Sequence, residues 1–293
     1  MRRIRNQLLP AVYLAAIFAF AISASAQRSP FLDFVKKRIS KEHRDKDEPR
    51  FTFDQICAVT NDPLARRVFF EYGAIFVATK DVRIPRTCIF RDREEVVDFQ
   101  SKLEVKSSRL GNSDIELQEA AMERLLDAQD EAREIGHRIS PLDGRLAGRR
   151  SYDDTVKVWN SRFYRALDYW VRRGKIRKEE ADQTRFAPVS IQVSRITEWE
   201  RQGYFFSTDL SKSIFYSVAP PGTSQHLSLL AFDVAEAGNP AVRRILNKYG
   251  WFQTIRTDQP HFTFLGVEES ELPARGLRNM FVDGNSYWVP IAD

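Results

Sequence analysis

Residues 219–233 read Ala219-Pro-Pro-Gly-Thr-Ser-Gln-His-Leu-Ser-Leu-Leu-Ala-Phe-Asp233. Pro220-Pro221-Gly222 marks a turn, and the apolar run from Leu229 to Phe232 has the length of a short strand. Asp233 is out of place at the end of that run. A carboxylate inside Leu-Leu-Ala-Phe-Asp-Val is costly to bury without a strong partner. A metal ion is one such partner and an arginine is another. His226 stands seven residues before Asp233.

A second stretch, Asp258-Gln-Pro-His-Phe-Thr-Phe264, has the same character. In a strand, Phe262 and Phe264 share one face while His261, Thr263 and Leu265 share the other. Asp258 precedes Pro260 in a turn and can fold back toward His261. His226, Asp233 and His261 together make a zinc set that leaves a fourth position for water. Spacing alone does not decide this. A capped turn histidine and a surface strand histidine fit the same pattern.

The spacing of Ile115, Met122, Leu125, Leu126, Ala132 and Ile135 predicts a helix over Asn112–Ile135. Ser113 and Glu116 have the shape of a capping box, and Gly136 is a stop. A second helix is expected from Ser151 to Arg173, burying Trp159, Phe163, Leu167 and Trp170. A shorter one follows from Lys178 to Thr184. Residues 189–218 read as strands and turns. Asn239-Pro240 opens a helix through Tyr249, and Ser286–Ile291 is a last strand. Between Phe51 and Leu110 the pattern is mixed α/β, with strands at Gly73–Thr79 and Thr87–Phe90 and a helix over Glu94–Leu103. Residues 27–50 are polar and charge-mixed, and read as a mobile leader or linker.

The 293-residue chain is 43% hydrophobic and 29% charged, so it can bury a core and is not disordered by composition. The net charge of +5 is mostly N-terminal. Without Arg2, Arg3 and Arg5, the part after residue 26 holds 42 basic and 40 acidic residues. This near-neutral balance gives no case for nucleic acid. Residues 1–26 combine an arginine-rich start, an apolar run from Leu8 to Ile22 and the small residues Ala24-Ser25-Ala26. That is the three-part pattern of a secretory signal peptide; an uncleaved anchor is the alternative. No apolar run is long enough for a stable membrane span after cleavage. The expected location is periplasmic or secreted. In such a compartment Cys57 and Cys88 can pair, closing a loop worth about 3–4 kcal/mol in the chain-entropy model. Two separate buried thiols are the other possibility.

Helices come early and strands late, without βαβ alternation or a glycine-rich phosphate loop, which argues for an α+β domain. Ser224-Gln-His226 through Asp233 resembles the Ser-x-His-x6-Asp signature of the VanY/VanX-type D-alanyl-D-alanine carboxypeptidases and dipeptidases. Asp258-Gln-Pro-His261 falls where that family has Glu-x-Trp-His. Ala147-Gly-Arg-Arg-Ser-Tyr152 is similar to its upstream Ser-Gly-Tyr-Arg-Ser. The three segments occur in family order and span about residues 112–266.

The resemblance implies a small antiparallel sheet carrying one zinc ion, flanked by helices, over residues 111–293. Within it, His226, Asp233 and His261 would be the ligands. Arg150 would steady the substrate carbonyl, Ser224 would touch substrate, and Asp258 would stand where the family keeps its catalytic glutamate. Three positions depart from the pattern: Leu229 replaces a glycine, Pro260 a tryptophan and Asp258 the longer glutamate. The implied activity is D,D-carboxypeptidase or D,D-peptidase hydrolysis of peptidoglycan stem peptides. The alternative is a weak or inactive module of the same fold that binds cell-wall peptide or a partner protein. A penicillin-binding serine enzyme needs Ser-x-x-Lys, which Ser211-Lys212 does not supply.

Overall fold

The protein is described here by a computed structural model covering residues 29–42 and 52–292. The signal-peptide stretch 1–26, the leader residues 27–28 and 43–50, and His43 lie outside the described residues.

Helices α1 (Pro30–Glu42), α2 (Phe53–Ile56), α3 (Pro63–Tyr72) and α4 (Arg93–Gln100) come first. A hairpin follows, β1 (Val105–Leu110) with β2 (Ser113–Gln118). Then come α5 (Glu119–Glu134), α6 (Tyr152–Arg172), α7 (Lys178–Arg185) and α8 (Val189–Arg201). The last part contains β3 (Ala231–Asp233), α9 (Pro240–Lys248), β4 (Trp251–Phe252) and β5 (His261–Phe264), then the hairpin β6 (Leu277–Val282) with β7 (Asn285–Pro290). The fold is α+β, as the order of elements in the sequence predicts.

The centre is a three-stranded antiparallel sheet in the order β3-β5-β4. One face carries Phe232, Phe262 and Phe264, joined by Trp251, all at most 2% exposed. These rings lie in a cluster with Leu125, Ala128 and Ala132 of α5 and with Val242, Ile245 and Leu246 of α9. Each such side chain contributes about 1.5–3 kcal/mol when fully buried. A second cluster joins Trp159, Phe163 and Leu167 of α6 to Val193, Ile196 and Trp199 of α8, with Val68 and Tyr72 of α3. Helix α6 begins as its sequence predicts. The Ser151 hydroxyl accepts from the Asp154 N–H, and the Asp154 carboxylate accepts from the Ser151 N–H.

Four expectations are corrected. Residues 30–42 are not a mobile leader; they form α1, whose Phe31, Val35 and Ile39 recur every four residues and are buried. Gly73–Val77 is a buried 3-10 turn, and 87–90 has no regular structure, so neither is a strand. Ser113 and Glu116 do not cap a helix but lie in β2, where Ile115 and Leu117 are both buried with period two. The helix begins only at Glu119. Residues 189–201 form helix α8, burying Val193, Ile196 and Trp199 at a spacing of three. The 110/111 boundary falls at the turn between β1 and β2, and one buried cluster draws residues from both sides of it.

Cys57 and Cys88 are joined by a disulfide. The Cys88 N–H also donates to the Ile56 carbonyl at 3.1 Å. Just beyond it, the Phe90 N–H donates to the carbonyl of Gly222 at 2.9 Å. This ties the N-terminal part to the Pro-Pro-Gly turn. Gly222 has φ +84°, and a Cβ there would lie 2.0 Å from the Phe90 carbonyl oxygen. Gly222→Ala should therefore lower stability by about 2–4 kcal/mol, from left-handed strain plus overpacking. Denaturant unfolding of the oxidised protein measures this. An unchanged midpoint would show that the close approach does not hold the fold.

Candidate metal centre

Strand register builds the site. In the β3–β5 pair Asp233 lies directly opposite His261, and Ala231 opposite Thr263. Alternation sends Phe232 and Phe262 to the apolar face, leaving Asp233 and His261 as cross-strand neighbours on the other. His226 comes from the 3-10 turn Gln225–Ser228, which runs into β3. That turn ends at Leu229, with φ 57° and ψ 27°. Leucine in this left-handed conformation costs about 1–2 kcal/mol. Its side chain is 0% exposed, and such burial contributes about 1.5–3 kcal/mol. The departure from glycine thus keeps the backbone course.

Three donor atoms converge. His226 Nε2 is 3.3 Å from Asp233 Oδ1, and His261 Nδ1 is 3.2 Å from the same oxygen. The two imidazoles meet edge to face with centroids 4.9 Å apart. His226, Asp233 and His261 are all buried, and one ligand atom of each lies within 4.8 Å of the others.

The proton positions follow from the outer partners. His226 Nδ1 lies 2.8 Å from the Gly148 carbonyl oxygen, which can only accept, so Nδ1 carries the hydrogen. His226 Nε2 is then a bare lone pair, and it is buried without a hydrogen-bond partner. His261 Nε2 lies 2.8 Å from Gln225 Oε1. A hydrogen on Nε2 donates there and leaves Nδ1 of His261 bare, facing Asp233. Two lone pairs aimed at one carboxylate oxygen repel one another unless a cation lies between them. Donors of a tetrahedral zinc site stand about 3.3 Å apart for metal–ligand bonds near 2.0–2.1 Å. The donor set and its orphaned nitrogen fit zinc.

Arg150 completes the arrangement. Its Nη2 donates to Asp233 Oδ2 at 2.5 Å and its Nε to the Leu146 carbonyl at 2.9 Å. The guanidinium is engaged with the candidate ligand Asp233, whereas the sequence reading aims it at substrate. Oδ2 is held by arginine, and Oδ1 faces the imidazoles. Burial would raise the Asp233 pKa, but His226 and His261 together pull it well below the usual carboxylate range. For His226, burial is the largest cause of a pKa pushed down to about 4, with Asp233 opposing and Arg150 adding.

Asp258 lies in the turn before β5, three residues ahead of His261, where the His261 N–H donates to the Asp258 carbonyl at 3.2 Å. Its side chain is open to solvent at the rim. The protein packed around that rim still raises its pKa, opposed by His261 and reinforced by the charge of Asp233. Ser224 is half-buried at the start of the turn that carries His226, and its side chain does not cap that turn. His137 is elsewhere, with its Nδ1 3.4 Å from Asn239.

Sequence reasoning missed three glutamines. Gln100 of α4 donates to the carbonyls of Arg150 and Leu227, both at 3.0 Å, and accepts from Arg149. Gln118 at the end of β2 donates to Ser228 O at 2.8 Å. Gln225 supports His261. Each joins segments far apart in the chain, so no local pattern announces it. Gly148 lies in the Ala147–Tyr152 segment, and a Cβ there would lie 2.8 Å from Ile115 Cγ2. The carbonyl that orients His226 is thus held close against β2.

No protein-family model matches the chain, and no curated protein matches it. Among solved structures it is similar to a variant of the vancomycin resistance D,D-pentapeptidase VanY from the VanB-type resistance cassette, in complex with Zn(II). The identity is 17% and the TM-score 0.31, over 57% of this chain and 82% of that one. At this level of similarity it is the convergence of His226, Asp233 and His261 that carries the reading of the site.

Metal-free protein should lose stability as the pH falls. Above about 6.5 both the folded and unfolded forms of His226 are neutral. Between there and its folded value of about 4, the unfolded chain takes up a proton that the fold refuses. The loss is about 1.4 kcal/mol per pH unit within that window. Denaturant titrations across the window measure it, and His226→Asn should flatten the slope. A flat wild-type profile would contradict the burial of a neutral imidazole.

Proposed function

We propose that this chain is an exported zinc peptidase that hydrolyses a D,D-amide bond of peptidoglycan stem peptides, releasing a terminal D-alanine. The observation that carries the metal reading is the buried, unpartnered Nε2 of His226 beside Asp233 and His261. The substrate class rests on the three sequence segments resembling the VanY/VanX-type enzymes. Export rests on the N-terminal signal pattern, and the Cys57–Cys88 disulfide is consistent with an oxidising compartment. Among the described residues no helix is long and apolar enough to cross a membrane.

His226, Asp233 and His261 would hold the ion. A bound zinc would supply Lewis acidity, polarising the scissile carbonyl and acidifying water. The protein's own groups do the rest. Asp258, at the rim with a raised pKa, takes the proton from the attacking water. Water oxygen bonds to the carbonyl carbon, the C–N bond breaks, and Asp258 returns the proton to the leaving amine. Arg150 holds Asp233 by Oδ2 and keeps Oδ1 turned toward the imidazoles. Its positive charge beside the site favours the negative charge that grows on the carbonyl oxygen. The route uses no acyl-enzyme, so chelators should inhibit and serine-directed β-lactams should not.

Asp258 gives the direct test. Asp258→Asn should keep zinc and the fold but cut hydrolysis of a D-alanyl-D-alanine-terminated pentapeptide by about two to four orders of magnitude. Product release is followed by mass spectrometry, and zinc by elemental analysis. Aspartate is shorter than glutamate by one C–C bond, about 1.5 Å. If the turn has moved in to compensate, Asp258→Glu lowers activity; if the site has decayed, it raises it. Full activity of Asp258→Asn would remove Asp258 from the mechanism. Failure of wild type and Asp258→Glu on every stem peptide would make the chain a binding module.

A further inference from the structure

Gln225 stands immediately before His226 and is 1% exposed. Its Nε2 donates to the Tyr72 carbonyl at 2.7 Å, and a carbonyl only accepts. The amide is therefore oriented without ambiguity, and Oε1 is the atom facing His261 Nε2 at 2.8 Å. Oε1 also accepts from the Thr263 hydroxyl. The Thr254 and Thr263 hydroxyls are 2.6 Å apart, and Gln225 Nε2 reaches Thr254 Oγ1 at 3.4 Å. These bonds close a ring: Gln225 donates to Thr254, Thr254 to Thr263, and Thr263 back to Gln225. Thr254 is 1% and Thr263 0% exposed, so water does not compete. Both N–H groups and both lone pairs of the amide are used.

We propose that Gln225 is a positioning residue that fixes His261 in the tautomer protonated on Nε2. It thereby keeps the lone pair of Nδ1 directed at the metal position. This inference rests on the zinc reading above. The need for such a device comes from Asp233. Its Oδ1 lies 3.2 Å from His261 Nδ1 and would draw a proton onto that nitrogen, forming a charge-assisted hydrogen bond. That tautomer has no lone pair on Nδ1 to offer a metal. It would also leave Gln225 Oε1 facing a bare Nε2 lone pair in a dry interior, which is costly. Gln225 thus opposes Asp233 in setting the proton's place. Gly148 does the same for His226 through its carbonyl. The sequence offers no hint of this, because Tyr72, Thr254 and Thr263 come from three separate segments.

The experiment uses the protein with its histidines labelled with 15N. Metal-free wild type, above the histidine titration range, is expected to show His261 protonated on Nε2 in long-range 1H–15N correlation spectra. Gln225→Leu keeps the bulk and removes the acceptor. Its His261 should shift toward protonation on Nδ1. Zinc affinity, read by competition with a chelating dye, should fall about 10–100-fold, the usual effect of losing a ligand's supporting hydrogen bond. Gln225→Glu restores an acceptor for Nε2 and should recover most of that loss. Protonation on Nδ1 in wild type would overturn the proposal, and this needs no variant to fold. So would a folded Gln225→Leu with unchanged tautomer and unchanged zinc affinity. If wild type takes up no zinc, the metal reading fails. The His261 spectra of wild type and Gln225→Leu then still decide what Gln225 does.

Discussion

Asp233 is a carboxylate buried between two imidazoles, and much of the surrounding structure answers to that fact. Such a group is expensive to remove from water. It is held by Arg150 on one oxygen and faces His226 and His261 with the other. The β3–β5 register places it there, because Asp233 pairs with His261 only when Phe232 pairs with Phe262. A slip of one residue would send the aromatics into the site and the carboxylate into the core. The hydrophobic face of this small sheet therefore fixes the polar face. Burial of Phe232, Phe262, Phe264 and Trp251 works as a positional restraint on the candidate ligands.

The same restraint explains why helices remote in sequence lie against the site. The turn bearing His226 has no long strand or helix of its own. Gln100 holds its Leu227 carbonyl, Gln118 its Ser228 carbonyl, and Gln225 reaches across to Tyr72. The first of these comes from α4, so residues before 110 act as a clamp on the centre. Gly148 and Gly222 are two of the places where the chain comes closer to its neighbours than a methyl group allows. Leu229 keeps a left-handed backbone at a place where glycine would have been unstrained. Its side chain fills the core instead, and the turn geometry survives.

The candidate site was largely legible in the sequence, and the reasons are local. Asp233 stood out because a charge ended an apolar run. His261 stood out because alternation separated it from Phe262 and Phe264. Helices α6 and α9 were readable from their caps and their apolar spacing. The failures have physical causes too. In 112–118 the apolar positions Ile115 and Leu117 fit a strand, while Ser113 and Glu116 imitate a helix start. Pairing with β1 decided the matter. In α1 five apolar residues are mixed with charges, and only the burial of Phe31, Val35 and Ile39 shows that they belong to the core. That Arg150 grips Asp233 is not legible either, since nothing local reveals that the two lie within reach. The glutamines were invisible because an amide has no preferred partner until the tertiary structure supplies one.

Under the proposed function, two imidazoles and one carboxylate of this chain bind a zinc ion at a position prepared for it. X-ray absorption spectroscopy of the zinc-loaded protein tests this most directly. Two histidine nitrogens at about 2.0–2.1 Å, oxygen ligands at about 2.0–2.2 Å and no sulfur are the expected result. The histidine scattering should be lost in the His226→Ala, His261→Ala double variant. A spectrum of zinc surrounded by water oxygens alone, or one unchanged by that double substitution, would show that these residues do not bind the ion.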